Sequence, residues 1–399
     1  MKRGAILIIA PLLFSLGFGA YGAETQVSGK IDVQARYYLD KGEYAGQGYH
    51  EQGSIGFQPE FYWEFNNGDE SIIFKPFYRY DQQDDERSHG DIRELLWTKV
   101  GSDWEFKAGI GKVFWGVTEF QHLVDTINQT DSVESFDGEE KLGQPMVNLT
   151  LIKDWGVLDA FVLPGFRERT FAGKEGRLRP PVYVDGDTGT FESSAETSHV
   201  DYALRWSHSV DVFDLGAHWF RGTNRDPILN LSSDNDEHHF SPHYEQMVQF
   251  GVDVQATVDE WLWKFEAISR NGQFETYSAI QAGFEYSFYG VADSDTDIGI
   301  LFEYGWDDRG EKGSASVQND IFLGSRFTFN NVESTELLIG GGYDLDYDSY
   351  SLLVEGSHRL TNNFKVVVDA RFFESEDEND PTYAIRKDDY FQFTLEYYF

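Results

Sequence analysis

The sequence of 399 residues contains no cysteine, few basic residues and, beyond its first two dozen positions, no long apolar run. Without cysteine the chain can form no disulfide, use no thiol chemistry and carry no lipoprotein anchor. Its 32 Lys and Arg against 69 Asp and Glu give a formal charge of −37, which argues against a nucleic-acid partner. Since a membrane helix needs about 18 apolar residues, such a chain would cross a membrane only as a closed barrel.

The first residues have the pattern of a secretory signal peptide, expected to comprise residues 1–22. Lys2 and Arg3 form its positive start, Ala5–Gly19 is apolar, and Ala20 and Gly22 are the small residues that a signal peptidase requires. Cleavage is expected after Gly22, with cleavage after residue 23 as the alternative. The mature chain would keep 30 basic residues against 69 acidic ones.

Aromatic residues are abundant, and 33 Phe, 22 Tyr and 10 Trp are too many for a disordered chain. In the last eleven residues they occupy alternate positions, which a strand would place on one face. These residues are Phe391, Phe393, Leu395, Tyr397 and Phe399. The stretch resembles the closing strand of bacterial outer-membrane barrels. That resemblance implies recognition by the barrel-assembly machinery through the strand ending in Phe399, and surroundings of outer-membrane lipid and lipopolysaccharide.

The same period of two recurs along the chain, for example in Val27–Leu39 and Ile55–Phe65. About 18 such segments can be counted, with 16 as the alternative, and single-chain bacterial barrels have an even number of strands. The sequence therefore predicts an all-β fold over residues 23–399, a single transmembrane antiparallel up-and-down β-barrel. One face of each strand would meet lipid and the other would meet water.

Short and long connections between these segments alternate. Turns of two or three residues, such as Asp259-Glu260, are expected at the inner end, and long outer loops are expected at 115–143, 166–197 and 222–243. A barrel with both termini on the periplasmic side requires this alternation, whereas a soluble β-sandwich does not.

The polar face of each strand predicts a lumen with charges of both signs. Two interpretations stay open: a wet pore whose charged walls orient a polar solute, or facing Arg and Glu residues that only neutralise each other. The predicted pore-lining residues are Lys30, Arg36, Glu60, Glu64, Lys75, Arg79, Lys107, Arg205, Lys264, Arg270, Arg326, Arg359 and Arg371.

Two long loops are candidates for constrictions that fold into the lumen. The loop 115–143 carries Asp125, Asn128 and Asp131, and its apolar residues at helical spacing predict a short plug helix. The loop 166–197 carries a basic cluster, which would either bind an anionic solute or lie beside the acidic loop. The cluster residues taken as candidates are Arg167, Arg169, Arg177 and Arg179.

The sequence predicts no resident cofactor and no metal site. Its acidic outer loops form either a solvated surface or positions for divalent cations that bridge to lipopolysaccharide phosphates. His238, His239 and His243 share one loop and are residue types that ligate transition metals. They lack the framework of other ligands that a dedicated site needs, so we interpret the group as incidental.

A short motif resembles a pattern in poorly characterised porin-like outer-membrane proteins. In that pattern a strand with Arg-Glu precedes a Gly-Lys strand and Trp-Gly, followed by Asp-x-x-Asn-x-x-Asp. The matching residues here are Arg93-Glu94, Gly111-Lys112, Trp115-Gly116, Asp125, Asn128 and Asp131. The architecture is also similar to alginate-export barrels. An exporter of that polyanion would need a strongly basic conduit, and the lumen inferred here is mixed in sign.

Together these observations predict a channel of the Gram-negative outer membrane for diffusion or facilitated passage of small polar or charged solutes. A structural or adhesive barrel without an open pore stays an alternative. A barrel-embedded hydrolase is disfavoured because the sequence has no Gly-x-Ser-x-Gly motif and no recognisable catalytic spacing, so the chain is predicted not to be an enzyme. The transported solute, its charge preference and the oligomeric state stay open.

Overall fold

The computed structural model describes residues 24–234, 237–272, 275–310 and 317–399, and the predicted signal peptide lies outside them. Within the described residues, 18 strands form a barrel, and three further strands, β8, β11 and β12, form a small separate sheet. In chain order the strands are β1 (Glu24–Tyr38), β2 (Glu51–Phe65), β3 (Glu70–Asp81), β4 (Gly90–Val100), β5 (Trp104–Gly111), β6 (Gln144–Lys153), β7 (Gly156–Pro164), β8 (Thr190–Phe191), β9 (Val200–Val210), β10 (Phe213–Thr223), β11 (Ile228–Asp234), β12 (Glu237–Tyr244), β13 (Gln246–Val258), β14 (Trp261–Gly272), β15 (Glu275–Phe288), β16 (Asp297–Asp307), β17 (Asn319–Thr328), β18 (Glu336–Asp344), β19 (Tyr350–Arg359), β20 (Phe364–Glu374) and β21 (Tyr390–Tyr398).

Each barrel strand pairs antiparallel with its neighbours, and β21 closes the barrel on β1. The closing register runs from Lys30 opposite Tyr398 to Tyr38 opposite Tyr390. The predicted all-β barrel of about 18 strands is therefore confirmed. The alternative of 16 strands is excluded.

The outer surface of the barrel carries the apolar half of each alternating strand. Val27, Phe250 and Leu323 are each exposed by more than half, and aromatic rings cluster near the short-turn end, where Trp261 and Trp263 stack at 5.3 Å. A contiguous apolar band of this kind is the surface that a barrel presents to lipid. The helical turns of the structure include Asn66–Gly68 and Pro381–Ile385. No helix among the described residues is long and apolar enough to cross a membrane.

The two ends of the barrel differ in their connections. At one end the turns are short, and Asn66, Asn67, Asp211 and Asp259 adopt positive φ there, as Asn and Asp do in tight turns. At the other end the connections are long. The predicted outer loop 222–243 contains the hairpin of β11 and β12, and β8 from the loop 166–197 pairs with β12 in parallel.

Candidate functional site

The connection between β5 and β6, residues 112–143, lies inside the barrel and is called here the inward loop. Asn128 joins its two ends: Oδ1 accepts from the backbone N of Val113 at 2.8 Å, and Nδ2 donates to the carbonyls of Gly111 at 2.9 Å and Leu142 at 2.8 Å. Asn128 is fully enclosed. Asn128 therefore holds the two ends of the loop together at its base.

The two aspartates of the motif fasten the same loop on either side of Asn128. Asp125 accepts from the backbone N of Trp115 at 3.4 Å and pairs with Lys141 at 3.4 Å, and burial raises its pKa. Asp131 accepts from Arg93 at 2.6 Å, Thr170 at 2.7 Å and His89 at 3.3 Å. Burial alone would raise the pKa of Asp131, but the His89 hydrogen bond and the Arg93 charge outweigh it and hold that pKa well below its usual range.

The prediction of a short plug helix is wrong. Residues 115–143 are all described and contain no helix. Val124 and Ile127 are fully buried, in a cluster with Met146, Phe161 and Phe220 from the barrel wall. Side-chain oxygens of the motif accept from backbone N–H groups of this segment, and such bonds compete with helical hydrogen bonding.

Two wall glutamates hold the middle of the inward loop across the lumen. Glu266 on β14 accepts from the backbone N of Val117 at 2.7 Å and of Thr118 at 3.1 Å through one oxygen, and from the N of Val124 at 3.2 Å through the other. Glu303 on β16 accepts from the N of Glu119 at 2.7 Å. The alternation of their strands places these glutamates in the lumen, but no local signal in the sequence indicates that they bind a backbone 149 residues away for Glu266 and 184 residues away for Glu303.

The far turn of the inward loop, residues 132–135, contacts the opposite wall. Arg79 on β3 pairs with Glu134 of the loop at 2.8 Å and with Asp32 on β1 at 2.8 Å. Arg87 donates to the carbonyl of Val133 at 2.8 Å and pairs with Asp81 at 2.6 Å. Because these charges are buried and paired, they hold the loop on the β1–β3 side.

The space left beside the inward loop forms two adjoining cavities along strands β17–β20. The outer cavity, about 670 Å³, extends to Asp344 and Ser349 near the long-loop end. The lower cavity, about 320 Å³, extends to Glu336 and Ser357 toward the short-turn end. The residues that line both cavities define what we call the pinch. They are Glu119, Phe136 and Asp137 on the inward loop and Leu338, Glu355 and Arg371 on the wall.

Charges of opposite sign meet at the pinch. Arg371 pairs with Asp137 of the loop at 2.8 Å, with Asp369 at 3.1 Å, and with Glu355. Glu119 of the loop pairs with Arg326 at 2.6 Å and with Lys264 at 3.4 Å. Burial would raise the pKa of Glu119, but the two cations outweigh it and lower that pKa. The acids of the loop thus face bases of the wall.

Known structures resemble this chain in fold. No family model and no curated protein matches the chain. Among solved structures, OpdQ of Pseudomonas aeruginosa matches with a TM-score of 0.53 and 10% identity, over 94% of this chain and 97% of that one. A mutant of Rh. blastica porin matches with a TM-score of 0.46 and 10% identity, over 94% of this chain and 100% of that one.

This chain has the same β-barrel fold as OpdQ. The predicted pore-lining residues of this chain lie on the barrel strands, and several form pairs within one strand or with a strand no more than two positions away, rather than across the lumen. The pairs include Lys30–Glu396 at 3.1 Å, Lys75–Glu60 at 3.0 Å, Arg205–Asp253 at 2.7 Å and Lys107–Glu105. Arg36 donates to Gln392 at 2.8 Å, Arg359 stacks over Tyr398 at 5.5 Å, and Glu64 lies opposite Glu24. Their role in conduction stays a prediction.

The arginines of the basic cluster in the loop 166–197 each contact different partners. Arg167 pairs with Asp91 at 2.7 Å, and Arg177 is enclosed against Asp388 at 2.5 Å and the ring of Tyr38. Arg179 donates to the carbonyl of Lys174 at 2.7 Å. Only Arg169 among these four lines one of the described cavities, a side cavity of about 670 Å³ behind the inward loop.

Within that side cavity, Arg169 and Arg270 share one carboxylate. Arg169 pairs with Asp226 at 2.8 Å, and Arg270 pairs with it at 2.9 Å. Asp226 lies in the connection between β10 and β11. Burial would raise its pKa, but the two arginines outweigh burial and lower it. The candidate site therefore comprises the inward loop, the pinch and the cavities around it.

Proposed function

We propose that this porin-like barrel is a channel of the Gram-negative outer membrane through which small polar or charged solutes pass. The observation that carries the proposal is the adjoining pair of cavities along β17–β20, which meet at the pinch. A barrel with a purely structural or adhesive role has no need for a continuous space beside an anchored loop.

The charges at the pinch favour polar solutes over uncharged apolar ones. Loop carboxylates, Glu119 and Asp137, stand against the wall cations Arg326 and Arg371. A solute with its own dipole or charge can exchange partners with these groups as it passes. The proposed passage is therefore open to small charged molecules of either sign, with a preference set by the balance at the pinch.

Single-channel recording in planar bilayers tests this function. The purified barrel is expected to produce discrete conductance steps in KCl, and Arg371→Ala is expected to change their size. A barrel that inserts, as shown by protection from protease, and gives no steps would overturn the channel and favour a structural barrel. Lipase and protease assays on the same preparation test the hydrolase, for which we expect no turnover.

We also propose that the last strand directs assembly into the membrane. Phe399 exchanges two backbone hydrogen bonds of 3.1 Å with Gly29, and its ring stacks on Phe57 at 6.4 Å. Removing Phe399 is expected to lower the amount of heat-modifiable barrel in outer membranes. The matched control is Phe364→Ala at the same end, which keeps the terminal residue.

Divalent cations that bridge acidic outer loops to lipopolysaccharide stay a proposal. Among the described residues no group of three or more His, Asp or Glu side chains is arranged to hold a metal ion. Bridging would therefore depend on lipid phosphates as further ligands. A chelator is expected to weaken the association of the purified barrel with lipopolysaccharide.

A further inference from the structure

The outer cavity carries aromatic rings where a water-filled lumen has no need of them. Phe114 and Phe136 of the inward loop line this cavity and are 58% and 46% exposed. Phe120 stacks on Phe322 of β17 at 5.0 Å, and Phe136 meets Phe373 of β20 edge-on at 5.5 Å. Exposed rings inside a cavity favour a ligand with an apolar body.

Two glycines in the wall leave space for the ring of Phe120. Gly324 on β17 and Gly340 on β18 lie against the ring of Phe120, and a Cβ atom at either position would come within 3.2–3.3 Å of it. Leu338, two residues from Gly340, lines the same cavity. The apolar lining is therefore continuous from the inward loop onto the wall.

The charged side chains that line the outer cavity are mainly acidic. The described residues that line the cavity include one lysine, Lys264, and one arginine, Arg371. Each of them forms an ion pair with a carboxylate. The acids on its lining are Glu119, Asp137, Glu139, Asp320, Asp344 and Glu355. Because the bases are already paired, the excess charge in the cavity is negative, which favours a cation.

The acidic excess is strongest at the long-loop end of the cavity. Asp320 and Asp344 lie opposite each other on β17 and β18 and are 6% and 7% exposed. Asp380, 4% exposed, interacts electrostatically with both, and its Oδ2 has no hydrogen-bond partner. Among the residues that the structure describes, no lysine or arginine forms an ion pair with these three aspartates.

We propose that the outer cavity is a binding site for amphipathic organic cations, small amines that carry an aromatic or alkyl body. The ammonium group lies toward Asp320 and Asp344, and the apolar body lies on Phe120, Phe136 and Phe322. The inference deepens the proposed channel function and rests on it, since the same cavity forms the approach to the pinch. The mixed charge of the lumen alone does not distinguish organic cations from other small charged solutes.

The test compares three probes that separate charge from apolar body: benzylammonium, methylammonium and benzoate. Each is added to single channels conducting KCl, and its binding to detergent-solubilised barrel is measured by calorimetry. Benzylammonium is expected to block and bind at about tenfold lower concentration than methylammonium, the gain expected from covering one ring. Benzoate, with the same ring and the opposite charge, is expected to have no effect at those concentrations.

Variants assign the binding to the cavity. Phe136→Ser is expected to raise the benzylammonium concentration for half-block about fivefold to tenfold and to leave methylammonium unchanged. Asp344→Asn is expected to weaken both amines. Phe250→Ala, on the lipid-facing surface, is the matched control and is expected to change neither. Phe136 is exposed on the loop, so its variant tests the site even where Asp344→Asn fails to fold.

Amine binding and KCl conductance test the amine site and the channel separately. Normal KCl steps with benzoate binding as tightly as benzylammonium, or with no difference between the two amines, would overturn the amine site and leave the channel. An inserted barrel without KCl steps would overturn the channel, and calorimetry would then decide whether the cavity binds the amine.

Discussion

Two sectors of the lumen wall differ in how they contact the inward loop. On β1–β3 and β14–β16 buried charged side chains bind the inward loop, as Arg79 binds Glu134 and Glu266 binds the backbone of Val117. On β17–β20 the outer and lower cavities separate much of the wall from the loop, and the two meet there through the pairs Arg326–Glu119 and Arg371–Asp137. The difference teaches that buried ion pairs and backbone hydrogen bonds hold the loop on two sides of the lumen, while the proposed passage follows the side where the cavities lie.

The largest effect is expected from releasing the loop in the polar sector. Glu266→Ala removes the acceptor for three backbone N–H groups and the Thr118 hydroxyl. The middle of the inward loop should then detach, and single-channel conductance should rise by at least about twofold. Glu60→Gln, a lumen acid paired with Lys75 away from the loop, is the control. An unchanged conductance in Glu266→Ala would mean that the loop does not set the width of the passage.

A large loss of stability is expected from a substitution in the Asp-x-x-Asn-x-x-Asp motif. Asp131→Ala removes the shorter of the two buried ion pairs of Arg93, which keeps Asp91, and the acceptor of the Thr170 hydroxyl. Removing one member of a buried ion pair typically destabilises a protein by about 3–5 kcal/mol. Urea unfolding in detergent micelles measures the change. A loss below about 1 kcal/mol would show that the outer contacts hold the loop without the motif.

An intermediate effect is expected at the pinch, where the two sectors meet. Arg371→Ala leaves Asp137, Asp369 and Glu355 without their shared cation. The cation-to-anion permeability ratio should rise by about twofold to threefold, because the local charge becomes more negative. Reversal potentials in a KCl gradient report this ratio. A shift toward anions would contradict the assignment of Arg371 to the passage.

A smaller effect concerns pH and the outer loops. Asp84 is enclosed where it accepts from the backbone N of Gly173 at 3.1 Å, and burial raises its pKa to about 6. Because this pKa is above its unfolded value, Asp84 contributes stability that is complete below about pH 4 and is lost as pH rises through 6. The contribution is about 2–3 kcal/mol at most. Asp84→Asn should flatten stability between pH 4 and 6, and an unaltered profile would assign the dependence to another group.

The smallest effect is expected from the basic cluster. Arg167→Ala with Arg169→Ala removes contacts to Asp91 and Asp226, which border the loop base and the side cavity. The shift in reversal potential should be smaller than that of Arg371→Ala, since neither residue lines the pinch. An equal or larger shift would place the passage through the side cavity instead.

The sequence predicted the barrel well and the constriction only in part. Alternation of side chains is a local property of a strand, so the lipid-facing and lumen-facing positions of Val27–Leu39 and of the last strand could be read directly. The motif residues Asp125, Asn128 and Asp131 were predicted to lie on a constriction loop, and their role in a constriction stays a prediction. The helix predicted there was wrong because helical spacing of apolar residues does not reveal that backbone groups bond to side chains and to Glu266 instead.

The sequence by itself determined that this chain closes into a barrel, because period-two patterning and the alternation of turns depend only on neighbouring residues. Tertiary structure decided which lumen charges are bound to the loop and which part of the wall borders the cavities. Glu266 and Thr118, or Arg371 and Asp137, lie far apart in the chain. Their contacts depend on strand register and on the path of the loop across the lumen, which no local pattern encodes.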